Sequence, residues 1–137
     1  MEKTISQLKK IAWRLFSEYI RRRDADWRGF VRCCTCGAVK HWKNGDAGHF
    51  EEGRNNSILF YERGCHFQCK GCNGNLRKGN ISRNREEIKR AYEEFMRERY
   101  GQKEINKIRM LKKQTKQFSI SELETLINEL KEKLSKL

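Results

Sequence analysis

Two cysteine pairs constrain this chain more than any other feature. Cys33-x-x-Cys36 is followed by Gly37, and thirty-two residues separate it from Cys69-x-x-Cys72. Two thiolates two residues apart can turn onto one cation, and a small residue after the second eases the turn. Two such knuckles supply the four soft ligands of a tetrahedral zinc site. That site closes a long loop, so metal loss should unfold residues 30–80. Cys34 could replace Cys33, but the Cys34–Cys36 spacing is tighter and less usual. Cys34 and Cys65 then remain as small buried hydrophobes. Four cysteines leave no open coordination position, so any chemistry must come from residues the metal holds in place.

Those residues lie between and just beyond the knuckles: Asp46, His49, His66, Asn73 and Asn80. They are hard or borderline donors and proton acceptors, a set that suits Mg²⁺ with its retained waters and bound phosphates. His49 by itself reads as a polar strand residue or as a hydrogen-bonding neighbour of the zinc ligands. His66 reads as a hydrogen-bonding neighbour of the zinc, a replacement zinc ligand, or part of a catalytic metal shell. Asn73 serves equally as a helix N-cap or a metal ligand. Asp46, in Asn44-Gly45-Asp46, and Asn80, in Lys78-Gly79-Asn80, are turn residues as readily as ligands. His41 and Trp42 are core or DNA-facing aromatics.

Charge points to the partner. Residues 1–32 carry nine bases and four acids, 33–80 seven and four, 81–101 six and five, and 102–137 nine and five. Every segment is net positive, and the whole chain reaches +13. A basic body favours a polyanion, most simply nucleic acid. The contacts expected are Arg21, Arg22, Arg23, Arg28, Lys40, Lys43, Arg54, Lys70, Arg77, Lys78, Arg83 and Arg85. For the Arg21–Arg23 triplet, a helix C-terminus answered by cations is the alternative. No apolar run approaches the roughly 20 residues of a membrane span, and the N-terminus lacks a signal-peptide core. A cytoplasmic protein with reduced cysteines is expected.

Periodicity divides the chain into helical ends around an irregular centre. Thr4 and Gln7 form a capping box ahead of a helix over 5–23. Short strands are expected at Phe30–Arg32, Ala38–His41 and Ile58–Tyr61. Asn84 caps a helix that ends at Gly101, and a further helical piece spans about 103–114. Ser119 or Ser121 caps the last helix. There Leu123, Ile127, Leu130, Leu134 and Leu137 form a heptad seam, which either packs back on helix 84–100 or makes a homodimer contact. The expected architecture is α+β: an N-terminal helix (1–28), a zinc-stapled core (29–82) and C-terminal helices (83–137).

Two knuckles bracketing a histidine, with an asparagine directly after the last cysteine, resemble the HNH (ββα-metal) endonucleases. RCCTCG, DAGHF, Asn56-x-x-x-Phe60, FQCKGCN, KGN and RYG, in this order, more closely resemble the NinG/Rap family of phage recombination proteins. The resemblance covers about residues 30–105. It implies an HNH-like core and a structure-specific DNA endonuclease in the host cytoplasm. That enzyme would cut branched intermediates such as D-loops and Holliday junctions with Mg²⁺ or Mn²⁺. By position, Cys33, Cys36, Cys69 and Cys72 match zinc ligands, His49 the general base and Asn73 the final HNH position. Gly48 stands where the family pattern has a metal ligand, with Asp46 as a substitute through a bulge. Gly64 falls on the middle asparagine, so another group must orient the loop. His66 and Asn80 are candidates for missing ligands. Gly48 and Gly64 also support a second reading, a non-catalytic zinc-stabilised DNA-binding accessory protein. A zinc-ribbon protein adaptor is a third.

Overall fold

A computed structural model describes residues 2–78 and 84–137, without the side chains of 75–78. Asn80 and Arg83 therefore lie outside the described residues, as do the side chains of Arg77 and Lys78. Helix α1 spans Ile5–Arg23, and Thr4 caps it through the expected box with Gln7. Leu8, Ala12, Phe16 and Ile20 form its buried stripe.

The centre is built from two antiparallel hairpins. Strands β1 (Phe30–Arg32) and β2 (Val39–His41) pair with each other, as do β3 (Gly45–His49) and β4 (Cys65–Cys69). The β1–β2 turn is the first knuckle. Gly37 sits at φ +79°, a left-handed conformation that glycine adopts without a Cβ penalty. Cys34 N–H donates to the Phe67 carbonyl at 3.1 Å and ties that turn to β4.

Strands β3 and β4 lie outside the three strands read from the sequence, although CHFQC alternates apolar and polar residues and His49 allows a strand reading; GDAGH lacks such alternation. Conversely, the strand expected at Ile58–Tyr61 is part of a short helix, α2 (Asn56–Leu59), and the turn after it. Burial of Ile58 and Leu59 there suits a helical turn as well as a strand.

Helix α3 (Lys70–Lys78) begins directly after β4, so the β3–β4 hairpin, with α2 in its connection, is followed by a helix. Its start at Lys70 places Asn73 inside the helix, so Asn73 is not an N-cap. Asn84 caps α4 (Arg85–Tyr100), and Gly101 joins it to α5 (Gln102–Lys112). Ser119, with Glu122 as box partner, caps α6 (Ile120–Ser135), so Ser121 is not the cap.

The heptad seam does not pack on α4 but on α1. Leu123 and Ile127 join Leu8 and Ala12 in one cluster, and Leu130 joins Phe16 and Ile20 in the next. The two helices therefore run in the same direction, and the first and last parts of the chain share one core. Leu123 and Leu130 are 0% and 2% exposed, so the seam is used within the monomer. Among the described residues, no helix is long and apolar enough to cross a membrane.

Candidate metal centre and adjoining cavity

The metal centre follows from the hairpins. Cys33 and Cys36 lie on the β1–β2 turn, Cys69 ends β4, and Cys72 lies in the first turn of α3. Their four sulfurs lie within 4.8 Å of one another. Zn–S bonds of about 2.3 Å at tetrahedral angles put sulfurs about 3.8 Å apart. The Cys36–Cys69 separation is 3.7 Å. The donor set thus fits a structural metal such as zinc, and Cys34 is not part of it.

The polar neighbours favour thiolate. Burial opposes ionisation of Cys33, yet hydrogen bonds from the Thr35 side chain and from backbone amides outweigh it and bring the thiol down to about 6. Thr35 Oγ1 lies 3.3 Å from Cys33 Sγ and accepts from Gln68 Nε2 at 3.2 Å. Burial pushes the Cys72 and Cys36 thiols up, and the Cys33 sulfur adds to it. A bound dication would reverse that penalty. Cys65 is fully buried in the α1 core, and burial alone raises its thiol to about 12, as suits a hydrophobic role.

Beside this centre is a cavity of about 360 Å³ whose lining includes Trp13, Asp46, His49, Glu52, Arg54 and Asn73. Three of the expected site residues meet there: Asp46, His49 and Asn73. Asn73 Nδ2 donates to Asp46 Oδ2 at 3.0 Å, which fastens α3 to β3. Asp46 is a strand residue paired with Gln68, and not the turn residue its Asn-Gly-Asp context suggests. The ladder from Gly45↔Cys69 to His49↔Cys65 runs one-to-one. Asp46 therefore reaches the cavity without the anticipated bulge.

His49 is held on two sides. Its Nε2 lies 3.1 Å from the Leu59 carbonyl, which can only accept, so Nε2 carries the proton and Nδ1 the lone pair of the neutral ring. Trp13 stacks on the imidazole with centroids 5.3 Å apart and planes 21° apart. Burial lowers the His49 pKa, the Leu59 bond opposes that shift, and Arg54 adds to it.

His66 is elsewhere. It is 1% exposed. Its Nδ1 is 3.3 Å from Tyr92 Oη and its Nε2 is 2.8 Å from Tyr100 Oη. Both ring nitrogens are used, and burial drives its pKa to about 3. His66 belongs neither to the sulfur cluster nor to the cavity, so the zinc-ligand and catalytic-shell readings both fail. The RYG tripeptide gains a role here, because its tyrosine, Tyr100, is one of the two partners.

The two glycines that depart from the HNH pattern have physical reasons. A Cβ at Gly48 would sit 1.9 Å from Gln68 Oε1, so a side chain there requires the buried Gln68 carboxamide to move. Gly64 orients the loop through its backbone: its carbonyl accepts from Phe50 N–H at 2.9 Å, one residue beyond His49. Tyr92 Oη donates to the Gly48 carbonyl at 2.6 Å from the other side.

Sequence reading missed Trp13, from the N-terminal helix, and Glu52. Glu52 Oε2 pairs with Arg85 and Lys89, while its Oε1 is buried without a hydrogen-bond partner among the described residues. Neither carried a sequence signal for the site: Trp13 lies off the buried stripe of α1, and Glu52 lies in a loop.

The expected DNA contacts separate by environment. Arg23 donates to the Glu62 and Cys65 carbonyls at 2.9 and 3.0 Å, and Arg21 to the Trp42 carbonyl at 3.2 Å. These two are internal staples. Arg22 pairs with Glu18, Arg28 with Asp26 and Arg85 with Glu52. Lys40, Lys43, Arg54 and Lys70 are exposed.

Four converging thiols, in a small basic α+β chain with a cavity containing His49 alongside, define a cysteine-knuckle protein whose sulfurs could hold a structural metal such as zinc. The chain belongs to the family described as Bacteriophage Lambda NinG protein, whose sequence profile matches residues 2–137. That match spans the α1 and α6 helices as well as the knuckles, and it connects the chain with phage recombination. No curated protein and no solved structure matches the chain significantly.

Proposed function

We propose that this protein is a metal-dependent endonuclease that cuts branched DNA during phage recombination, with the chemistry in the His49 cavity. The observation that carries the reading is a neutral imidazole, fixed in one tautomer, in the same cavity as the Asp46–Asn73 pair and beside the cysteine centre. In this reading the β3–β4 hairpin with α3, from Gly45 to Lys78, is HNH-like. Asp46 and Asn73, with the unpartnered oxygen of Glu52, would hold Mg²⁺ or Mn²⁺. The four cysteines form the only group of three or more His, Cys, Asp or Glu donors that converge among the described residues. A hard cation there would be held loosely and would keep most of its waters.

Phosphodiester hydrolysis needs a deprotonated water and neutralised phosphoryl charge. The bound dication would supply the charge neutralisation and leaving-group help. His49 Nδ1 takes the proton from the water, while Nε2–H remains on the Leu59 carbonyl and holds the ring. Trp13 stacking limits ring rotation. Arg54, over the Trp13 ring at 4.5 Å, brings a fixed positive charge to the cavity for the phosphate.

The test is incubation of the zinc-loaded protein with four-way, forked and linear duplex DNA, with and without added Mg²⁺, alongside His49→Ala. The expected result is nicking of branched DNA that needs both Mg²⁺ and His49. If His49→Ala cuts as well as the wild type, the catalytic assignment is wrong. The internal Asp46–Asn73 bond favours a second reading, a non-catalytic DNA-binding accessory protein. That reading predicts salt-sensitive junction binding and no nicked product under any metal.

A further inference from the structure

We propose that the groove between α1 and the segment entering α6 seats an unpaired nucleic-acid strand leading into the His49 cavity. This rests on the nuclease reading above only for where the strand goes, and not for its binding. The groove encloses about 920 Å³ and is lined by Lys9, Lys10, Trp13, Arg54, Asn56 and Phe118, over apolar Ile5 and Leu59. Trp13 and Arg54 also line the His49 cavity, so the two spaces share one wall.

Charge separates this groove from the cleft beside α4 and α5, and the absence of any carboxylate separates it from the cleft at Arg22, Arg23 and Arg28, where Asp26 intervenes. The groove's lining holds three cations and no carboxylate. In the cleft beside α4 and α5, five acids face five bases, which repels phosphate about as much as it attracts it. The groove's cations are also placed. Lys9 donates to Asn56 Oδ1 at 2.8 Å, and Asn56 in turn donates to the Lys116 carbonyl at 3.0 Å. Arg54 sits at φ +50°, the one non-glycine residue with positive φ among the described residues. L-residues avoid that conformation, and it persists where surrounding contacts enforce it. Here Asn55, one residue on, donates to the Lys112 carbonyl at 3.0 Å, and the Arg54 guanidinium lies over Trp13.

An unpaired strand offers what this lining complements. Its phosphates suit Lys9, Lys10 and Arg54, and its unstacked bases suit an apolar wall that includes Ile5 at 43% exposure. A duplex keeps its base faces stacked, whereas a branch point releases some of them. Branch preference then arises from a groove that exists only because α6 lies beside α1. An acidic amphipathic peptide would match the same charges, but the shared wall with the His49 cavity favours nucleic acid.

The experiment is fluorescence anisotropy of a labelled oligothymidylate of roughly twelve nucleotides, a length within the usual single-strand site sizes. It is run on full-length zinc-loaded protein without added Mg²⁺, against a blunt duplex of equal length. Lys9→Gln/Lys10→Gln should weaken single-strand binding at least about tenfold. It should also flatten the log–log salt dependence by about 1.4, from two phosphate contacts at about 0.7 each. Duplex binding should fall much less. Exposed Lys10→Gln alone, which leaves the Lys9–Asn56 bond intact, should flatten the slope by about half as much. Phe118→Ala should weaken single-strand binding with the slope unchanged. The proposal is overturned if single strand and duplex weaken equally, if the double variant binds as the wild type, or if an acidic amphipathic peptide outcompetes the oligonucleotide. His49→Ala should bind the oligonucleotide normally whether or not it cuts, so the two readings fail separately.

Discussion

Replacing Gly48 with alanine isolates the tightest contact in the centre of the molecule. The added Cβ would lie 1.9 Å from Gln68 Oε1 and 2.7 Å from its Cδ. Ordinary carbon–oxygen contacts begin near about 3.3 Å, so the oxygen must retreat by about 1.4 Å. Gln68 is 0% exposed, so its carboxamide cannot swing into water. It must leave Thr35 or push β4 away from β3. Overpacking costs about 1–3 kcal/mol, and a buried Gln68 amide N–H parted from Thr35 about 1–3 more. Alanine regains about 0.5–1 kcal/mol over glycine within a strand. The net expectation is a loss of about 3 kcal/mol. Urea unfolding of the zinc-loaded protein, read by circular dichroism, measures it. Gln68→Ala removes the obstructing group, so the double variant should be more stable than the two single losses added together, by about 1–3 kcal/mol. A Gly48→Ala protein within about 0.5 kcal/mol of wild type, or strictly additive losses, would refute the packing account. Aspartate or histidine at position 48 meets the same oxygen, so the glycine is a packing requirement.

Metal removal should open the centre. A chelator strong enough to take the zinc should release one ion per chain and expose amides of β1–β4 to hydrogen exchange, while the α1–α6 core keeps its protection. Loss of protection confined to the chain ends would contradict this. Burial holds the His49 pKa below its ordinary 6.5. Cleavage should therefore be constant above that pH and fall only as pH drops through the lowered value, and His49→Ala should lose about 10²–10⁴-fold in rate. A rate that declines from pH 8 downward would rule out His49 as the base. His66 titrates near 3 folded and near 6.5 unfolded, so the unfolded chain binds the extra proton between those values. Its contribution is flat above pH 6.5, and stability falls by up to about 1.4 kcal/mol per unit as pH drops below it. His66→Gln should show a shallower decline in acid melts; an identical slope would refute the assignment.

The sequence by itself determined the four-cysteine cluster and the caps of α1 and α4, and narrowed the α6 cap to Ser119 or Ser121. Two-residue cysteine spacing is local geometry, and Thr4–Gln7, Asn84 and Ser119 act within one helical turn. His49, Asp46 and Asn73 were legible as donors because their residue types limit what they can do. Only the tertiary structure decided which of them meet. Histidine reads the same in sequence at 49 and 66. Packing alone gives one a cavity and the other two tyrosine hydroxyls. Trp13 and Glu52 join the site from a distant helix and a loop, where no local spacing signals it. The heptad seam announced that α6 needed a partner, and hydrophobic burial is non-directional, so the pattern did not say which. That partner is α1, and with it came the groove beside the cavity.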